Sequence, residues 1–153
     1  MEYQVRHARI TDAERISALL DTTHVARGAG AAVRTGAADL LRQLVHLPHA
    51  VVLVADADRR IVGAAVMALR PSVRQGGFVG SIDLLVVDPA SEGGVADALI
   101  VELLRSARNK GCVAVEVALP DDQTARARWS GHGFEEAGPH VVRALTPVGA
   151  GRS

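Results

Sequence analysis

The sequence predicts an α/β fold, a central sheet covered by helices. Three observations lead there. Apolar runs rich in β-branched residues at 51–55, 61–69 and 78–87 are separated by polar or Gly-containing breaks. Apolar residues recur at helical spacing within 11–21, 40–45 and 95–109. Finally, VVDPASEGGVADALI, residues 86–100, passes from a hydrophobic strand through a Gly-Gly loop straight into an amphipathic pattern. A chain of 153 residues has the length of one domain, enough to bury about two thirds of its unfolded surface. That domain is expected to span 1–147, with 148–153 as a flexible Gly-containing tail.

In chain order, a first strand runs through Val5 and His7. Thr11 and Glu14 have capping-box spacing, and Ile16, Leu19 and Leu20 then form one apolar face, which predicts a helix over 11–21. An Ala- and Gly-rich linker at 22–36 carries His24, Arg27 and Arg34; Leu40, Leu41, Leu44 and Val45 mark a second helix stopped by Pro48. The segment Asp56 to Arg60 is a hairpin turn between two strands by composition. Residues 78–87 read as a strand buried on both faces and interrupted by Asp83. The third helix begins at Gly93 or Gly94 and runs to Asn109, with Val95, Leu99 and Leu103 four residues apart, and Gly111 ends it. Val113, Val115, Val117 and Leu119 alternate with Ala114, Glu116 and Ala118 in a fifth strand. Asp121 or Asp122 then caps a short helix to about Trp129, and 134–137 with 141–145 form a closing hairpin around Gly138 and Pro139.

Composition excludes several classes. Seventeen basic residues balance seventeen acidic ones, so bulk charge points to neither a nucleic acid nor an anionic membrane as partner. A single cysteine, Cys112, forbids an intrachain disulfide; it reads as a small buried side chain, and the cytoplasm is the expected compartment. The N-terminal MEYQVRHARI has no apolar h-region, and no apolar run approaches the roughly 18 residues needed to span a bilayer. No metal is expected: Asp56 and Asp58 lack a convergent third ligand, and Pro48 separates His46 from His49.

The loop at 88–94 carries the chemistry. Pro89 cannot continue a central ladder, and Gly93 and Gly94 let amides turn toward an anion at a helix N-terminus, as in a pyrophosphate site; a plain turn is the competing reading. The segment resembles the GNAT superfamily of N-acetyltransferases. Their central motif, Val-x-Pro-x-x-Arg/Gln-Gly-x-Gly-x-Gly/Ala before a Leu-rich helix, is matched by Val87, Asp88 and Pro89. Gly93 and Gly94 match with one residue deleted between them, and Ala96 stands at the third glycine position. Glu92 replaces the usual Arg or Gln, and the loop is correspondingly short. The family also shows Asn-x-x-Ala, then Tyr four residues before Gly-Phe; Asp122, Ala125, Trp129, Gly133 and Phe134 fall at those places, with the Tyr replaced. The resemblance covers nearly the whole chain.

It implies a GNAT fold, a mixed, mostly antiparallel sheet of about six to seven strands flanked by about four helices. It also implies acetyl-CoA as cosubstrate in a gap where the motif strand splays from the strand after the third helix. The cofactor would be held by Leu85, Val86 and Val87, by Glu92, Gly93, Gly94, Val95 and Ala96, and by Asp122, Ala125 and Trp129. Asp83 takes the place of an acidic family residue and is the first candidate for general base, with an ion-pair role beside an Arg as the alternative; Glu116 is the second. Trp129 donates a hydrogen bond but is no useful acid, which leaves Ser130 or a water. His132 reads as an exposed loop residue, or as a proton shuttle near the thiol. The implied acceptor is a primary amine of a small molecule or peptide, and family habit allows a homodimer. Glu92, the short loop and Trp129 favour the alternative, a GNAT-fold ligand-binding or protein-interaction module without catalysis.

Overall fold

The computed structural model describes residues 2–23, 31–91, 93–138 and 143, and of 31–35 only the backbone. In chain order it contains β1 (Gln4–His7), a 3-10 turn (Ile10–Asp12), α1 (Ala13–Thr23), α2 (Ala31–Leu44), β2 (Ala50–Ala57) and β3 (Arg60–Ser72). β4 (Gly77–Val87), α3 (Val95–Asn109), β5 (Ala114–Val117) and α4 (Gln123–Gly131) follow. The five strands lie in sequence order, β1 to β4 antiparallel and β5 parallel to β4; short turns join β2, β3 and β4, whereas α1 and α2 intervene between β1 and β2. A parallel neighbour needs a crossover connection, and α3 supplies it.

Alternation along β2 sends Val51, Leu53 and Ala55 to one face and Val52 and Val54 to the other. The first set packs with Ala65, Met67 and Ile82 under Val95, Leu99, Ile100 and Leu103 of α3. The second packs with Ala64, Val66 and Val86 under Ile16, Leu19 and Leu41 of α1 and α2. The sheet is thus sandwiched between α3 on one side and α1 with α2 on the other. Asp58 and Arg59, at φ 52° and 70°, make the two-residue turn that joins β2 to β3. Two positive φ values suit the twist of a hairpin, and the Asp56 carboxylate accepts the Arg59 N–H at 2.8 Å.

Four expectations need correction. The sheet has five strands among the described residues, not six or seven, because 134–137 is not a strand. Gly133, at φ 88°, reverses the chain after α4, and Phe134 is drawn back, its N–H donating to the Trp129 carbonyl at 3.1 Å. The partner segment 141–145, apart from Arg143, lies outside the described residues, as do Glu92, residues 24–30 of the expected linker with His24 and Arg27, and the tail; residues 31–36, also expected in that linker, are instead the start of α2. Thr11 is not the first cap: the Asp12 carboxylate reaches back to the Arg9 N–H at 2.7 Å while Arg6 grips it with both terminal nitrogens. Nor is the apolar remainder of β4 buried throughout, since Phe78 is exposed as well as Asp83, the one interruption expected.

Candidate functional site

The site is built where β4 loses a neighbour. Val66 of β3 faces Leu84 while Met67 faces Ile82, which leaves Asp83 as the extra residue of a β-bulge. A bulge bends and over-twists its strand. On the other edge, β4 pairs with β5 only from Val79 opposite Ala114 to Ile82 opposite Val117. From Asp83 onward that edge has no strand partner among the described residues, so Leu85, Val86 and Val87 run along one arm of an open fork. An unpaired edge offers backbone donors and acceptors in the pattern of a missing strand.

Asp83 sits at the crotch of the fork, exposed, with no hydrogen-bond or ion-pair partner among the described residues. Glu116 stands opposite Ser81, just before the fork, and its Oε1 accepts from Nε of Arg70 at 2.8 Å, with Nη2 an ion-pair contact 2.6 Å away. The ion-pair role weighed for Asp83 is therefore filled at Glu116 instead.

Beyond Val87 the chain turns on Asp88, a residue whose part the sequence reading missed although Asp before Pro is a turn-forming signal. Its N–H donates to the Val62 carbonyl at 2.8 Å and its Oδ1 accepts the Ala90 N–H at 3.0 Å. Oδ2 accepts from Arg60 Nη2 at 2.6 Å. The Ala90 amide and then Arg60 hold its carboxyl below the usual carboxylate range against some desolvation. Gly93 is exposed with open space around it, and Gly94 caps α3 at φ 104°, a backbone that glycine adopts without a steric cost. The Tyr3 hydroxyl donates to the Gly94 carbonyl at 3.2 Å. The first bond of α3 is Ala98 N–H to that same carbonyl, so the amides of Val95, Ala96 and Asp97 have no intrahelical acceptor.

Gly63 seats this helix start on the sheet. A Cβ there would lie 2.9 Å from Val95 Cγ1 and 3.0 Å from Leu99 Cδ1. Gly63→Val is therefore expected to destabilise the fold by about 1–3 kcal/mol through overpacking, read as a lower urea midpoint. An unchanged midpoint would mean that α3 shifts outward without cost.

α4 closes the end of the site. Asp122 is its N-cap, accepting the Ala125 N–H at 3.2 Å, and Arg126 Nε donates to the Pro120 carbonyl at 2.6 Å. Trp129 is buried, its ring edge-on to Phe134 at 5.0 Å between centroids. Ser130 is exposed on the last turn. His132 Nε2 lies 2.8 Å from Asp97 Oδ1, with Arg128 Nε 3.9 Å from the same oxygen, so the end of α4 is tied to the first turn of α3. The structure thus brings Asp83, Glu116 and 85–87 to one fork, with Gly93, Gly94, Val95 and Ala96 at the adjoining helix start. Asp122 and Ala125 stand at the head of α4, engaged with each other.

Burial raises the Cys112 thiol above its ordinary value, which disfavours a thiolate nucleophile. Among the described residues no three His, Cys, Asp or Glu side chains group to hold a metal, and no helix is long and apolar enough to cross a membrane. A concavity of about 470 Å³ lies on the other flank of the loop, lined by Asp58, Arg60, Ala90 and Ser91 among others. It contains none of the fork residues.

An acetyltransferase (GNAT) domain matches residues 21–147, most of the chain. The chain belongs to the GNAT acetyltransferase family. A glucosamine 6-phosphate N-acetyltransferase of Trypanosoma brucei brucei is 45% identical over 58 residues, 37% of this chain and 40% of that protein. The match thus spans well under half of this relative's length. A crystal structure of a Trypanosoma brucei acetyltransferase superposes with a TM-score of 0.72 at 26% identity, covering 94% of this chain and all of the other. A predicted acetyltransferase of Clostridium acetobutylicum, solved with acetyl-CoA, gives a TM-score of 0.76 at 15% identity over 99% of this chain and all of the other, a likeness of fold. The five-stranded mixed sheet with four helices is accordingly a GNAT fold.

Proposed function

We propose that this GNAT protein is an acetyl-CoA-dependent N-acetyltransferase that passes an acyl group to a primary amine by direct attack in a ternary complex, in the cytoplasm. One observation carries the reading: among the described residues, the β4 edge beyond Asp83 has no strand partner and leads directly into a glycine-capped helix start whose first amides lack an intrahelical acceptor. A chain-like ligand ending in phosphates fits that sequence of partners. Gly93 leaves room for a close approach, and no side chain of the described loop intrudes where a Cβ would stand. When bound, acetyl-CoA supplies an activated acyl thioester and a thiol leaving group.

The chain's own residues then divide the work. Backbone groups of Leu85, Val86 and Val87 bind along the ligand as a strand would, and a donor aimed at the acyl oxygen contributes about 2.7–4 kcal/mol. Gly93, Gly94, Val95 and Ala96 present amides and the positive helix end to the pyrophosphate. Asp83, without a partner among the described residues, accepts the proton that a lysine-like ammonium, of pKa about 10, must lose before attack. Glu116, held by Arg70, is the weaker candidate. Ser130 is the exposed hydroxyl at the end of α4 and can relay a proton to the departing thiolate, which needs little help at a pKa of about 8.5.

The test is binding. Acetyl-CoA at about 100 times its dissociation constant should stabilise the protein by about 2.7 kcal/mol, a rise in melting temperature of roughly 5–10 °C. If neither melting nor calorimetry responds at millimolar acetyl-CoA, the reading fails and the chain is a GNAT-fold module serving another ligand or partner.

A further inference from the structure

We infer that the acceptor carries an anionic group, a carboxylate or a phosphate, close to its amine, and that Arg70 is the residue that reads it. This rests on the acetyl-transfer reading above and narrows its substrate class.

The argument starts from register. Ala68 faces Ser81, Ser81 faces Glu116, and Arg70 faces Val79. Alternate residues of a strand share a face, so Arg70 and Glu116 stand on the side of Ala64 and Val66, the side that α1 and α2 cover. The helical cover stops short of them: Val66 is buried, whereas Ala68, Arg70 and Glu116 are exposed. The pair therefore occupies an open strip of sheet that leads into the fork. Asp83 lies two residues beyond Ser81, about 7 Å along the strand.

Guanidinium chemistry supplies the second step. Arg70 faces Glu116 with its Nε and Nη2 edge, Nε donating to Oε1 and Nη2 in ion-pair contact with the same oxygen. Five N–H donors sit in a rigid planar fork, so this contact uses one edge and leaves Nη1 and a second Nη2 hydrogen free among the described residues. That remaining edge matches a carboxylate or phosphate in two parallel bonds. Stability does not account for the pair, because ion pairs exposed on a surface contribute little. Glu116 instead holds the guanidinium in place, and the strip offers a fixed cation on the stretch of sheet that leads to Asp83, whose carboxylate has no partner among the described residues. Such a site suits an amine on Asp83 and an anion on Arg70 in one small molecule. Glu116 is then a positioning residue rather than a base.

The experiment compares matched amines: O-phosphoethanolamine with ethanolamine, and β-alanine with propylamine. Affinity is read by calorimetry on protein with and without coenzyme A, and acetylation rates are measured in parallel. The anionic member of at least one pair should bind about ten-fold to hundred-fold more tightly, as expected for a charged two-point contact. A preference in the first pair alone assigns a phosphate, in the second alone a carboxylate. Arg70→Gln should reduce the preference to less than about two-fold with coenzyme A affinity and melting temperature unchanged, and Arg70→Lys should restore part of it. Equal binding of both members by the unmodified protein, or a preference that survives Arg70→Gln, overturns the inference. Failure of coenzyme A to bind would instead defeat the acetyl-transfer reading, and the amine pairs measured on the free protein would still decide the role of Arg70.

Discussion

Asp83→Asn is expected to lower amine acetylation by about 10²- to 10⁴-fold near neutral pH while leaving acetyl-CoA affinity nearly unchanged. The substitution keeps size while removing the charge and with it the capacity to take a proton. Because Asp83 is exposed at a bulge and has no partner among the described residues, its loss as a charge should move stability by no more than about 0.5 kcal/mol. The rate should recover as pH is raised toward the acceptor's own pKa of about 10, where solvent supplies the free amine without a base. Glu116→Gln should cost far less in rate on a neutral acceptor, since that carboxylate is already tied to Arg70. A rate insensitive to both substitutions, measured with acetyl-CoA binding confirmed, would remove the strand fork as the seat of proton transfer.

How far this site could be read in the sequence depended on the range of the interactions that make it. α3 was legible nearly to the residue, because Val95, Leu99 and Leu103 carry a helical period and Gly94 and Gly111 bracket it. The cap of α4 was legible to within one residue, as Asp121 or Asp122, for the same local reason, and Asp122 fills it. The capping of the first helix was misread, since Thr11 and Glu14 have the right spacing, yet Asp12 is recruited by Arg6 across the turn and takes the Arg9 amide with it. Pattern also failed at 134–137, where the pull of Phe134 onto Trp129 outweighs the alternation of so short a run. The fork itself has no local signature. The bulge at Asp83 and the end of pairing at Ile82 are set by how β3 and β5 register on β4, two neighbours at long sequence separation. Asp83 was conspicuous as a carboxylate in an apolar run, but its lack of an Arg partner among the described residues, and the capture of Glu116 by Arg70, are consequences of packing.

Asp12→Ala should cost about 3 kcal/mol of stability, the largest loss expected from any single polar side chain here. Asp12 is only 1% exposed, yet it lies at the junction of β1, α1 and the β2 end of the sheet. Arg6 Nη1 and Nη2 reach its two oxygens at 2.8 and 3.1 Å, and the Arg9 N–H adds a third bond at 2.7 Å. Removing the carboxylate strands a largely buried guanidinium and an orphan amide. The cost stays at the lower end of the range for broken buried pairs because Arg6 keeps Asp56, 3.1 Å away. For a domain of this size the melting temperature should fall by roughly 6–12 °C. Desolvation works to raise the Asp12 carboxyl, but Arg6 and the Arg9 amide together outweigh it and hold the group below its ordinary value. A carboxyl depressed by folding stabilises fully above its unfolded pKa of about 3.9, and that contribution is lost as pH falls through the lower folded value. The unmodified protein and Asp12→Ala should therefore differ most at neutral pH and converge in acid, as followed by urea unfolding between about pH 7 and pH 3. A gap that stays constant across that range would show that Asp12 acts through its shape and not through its charge.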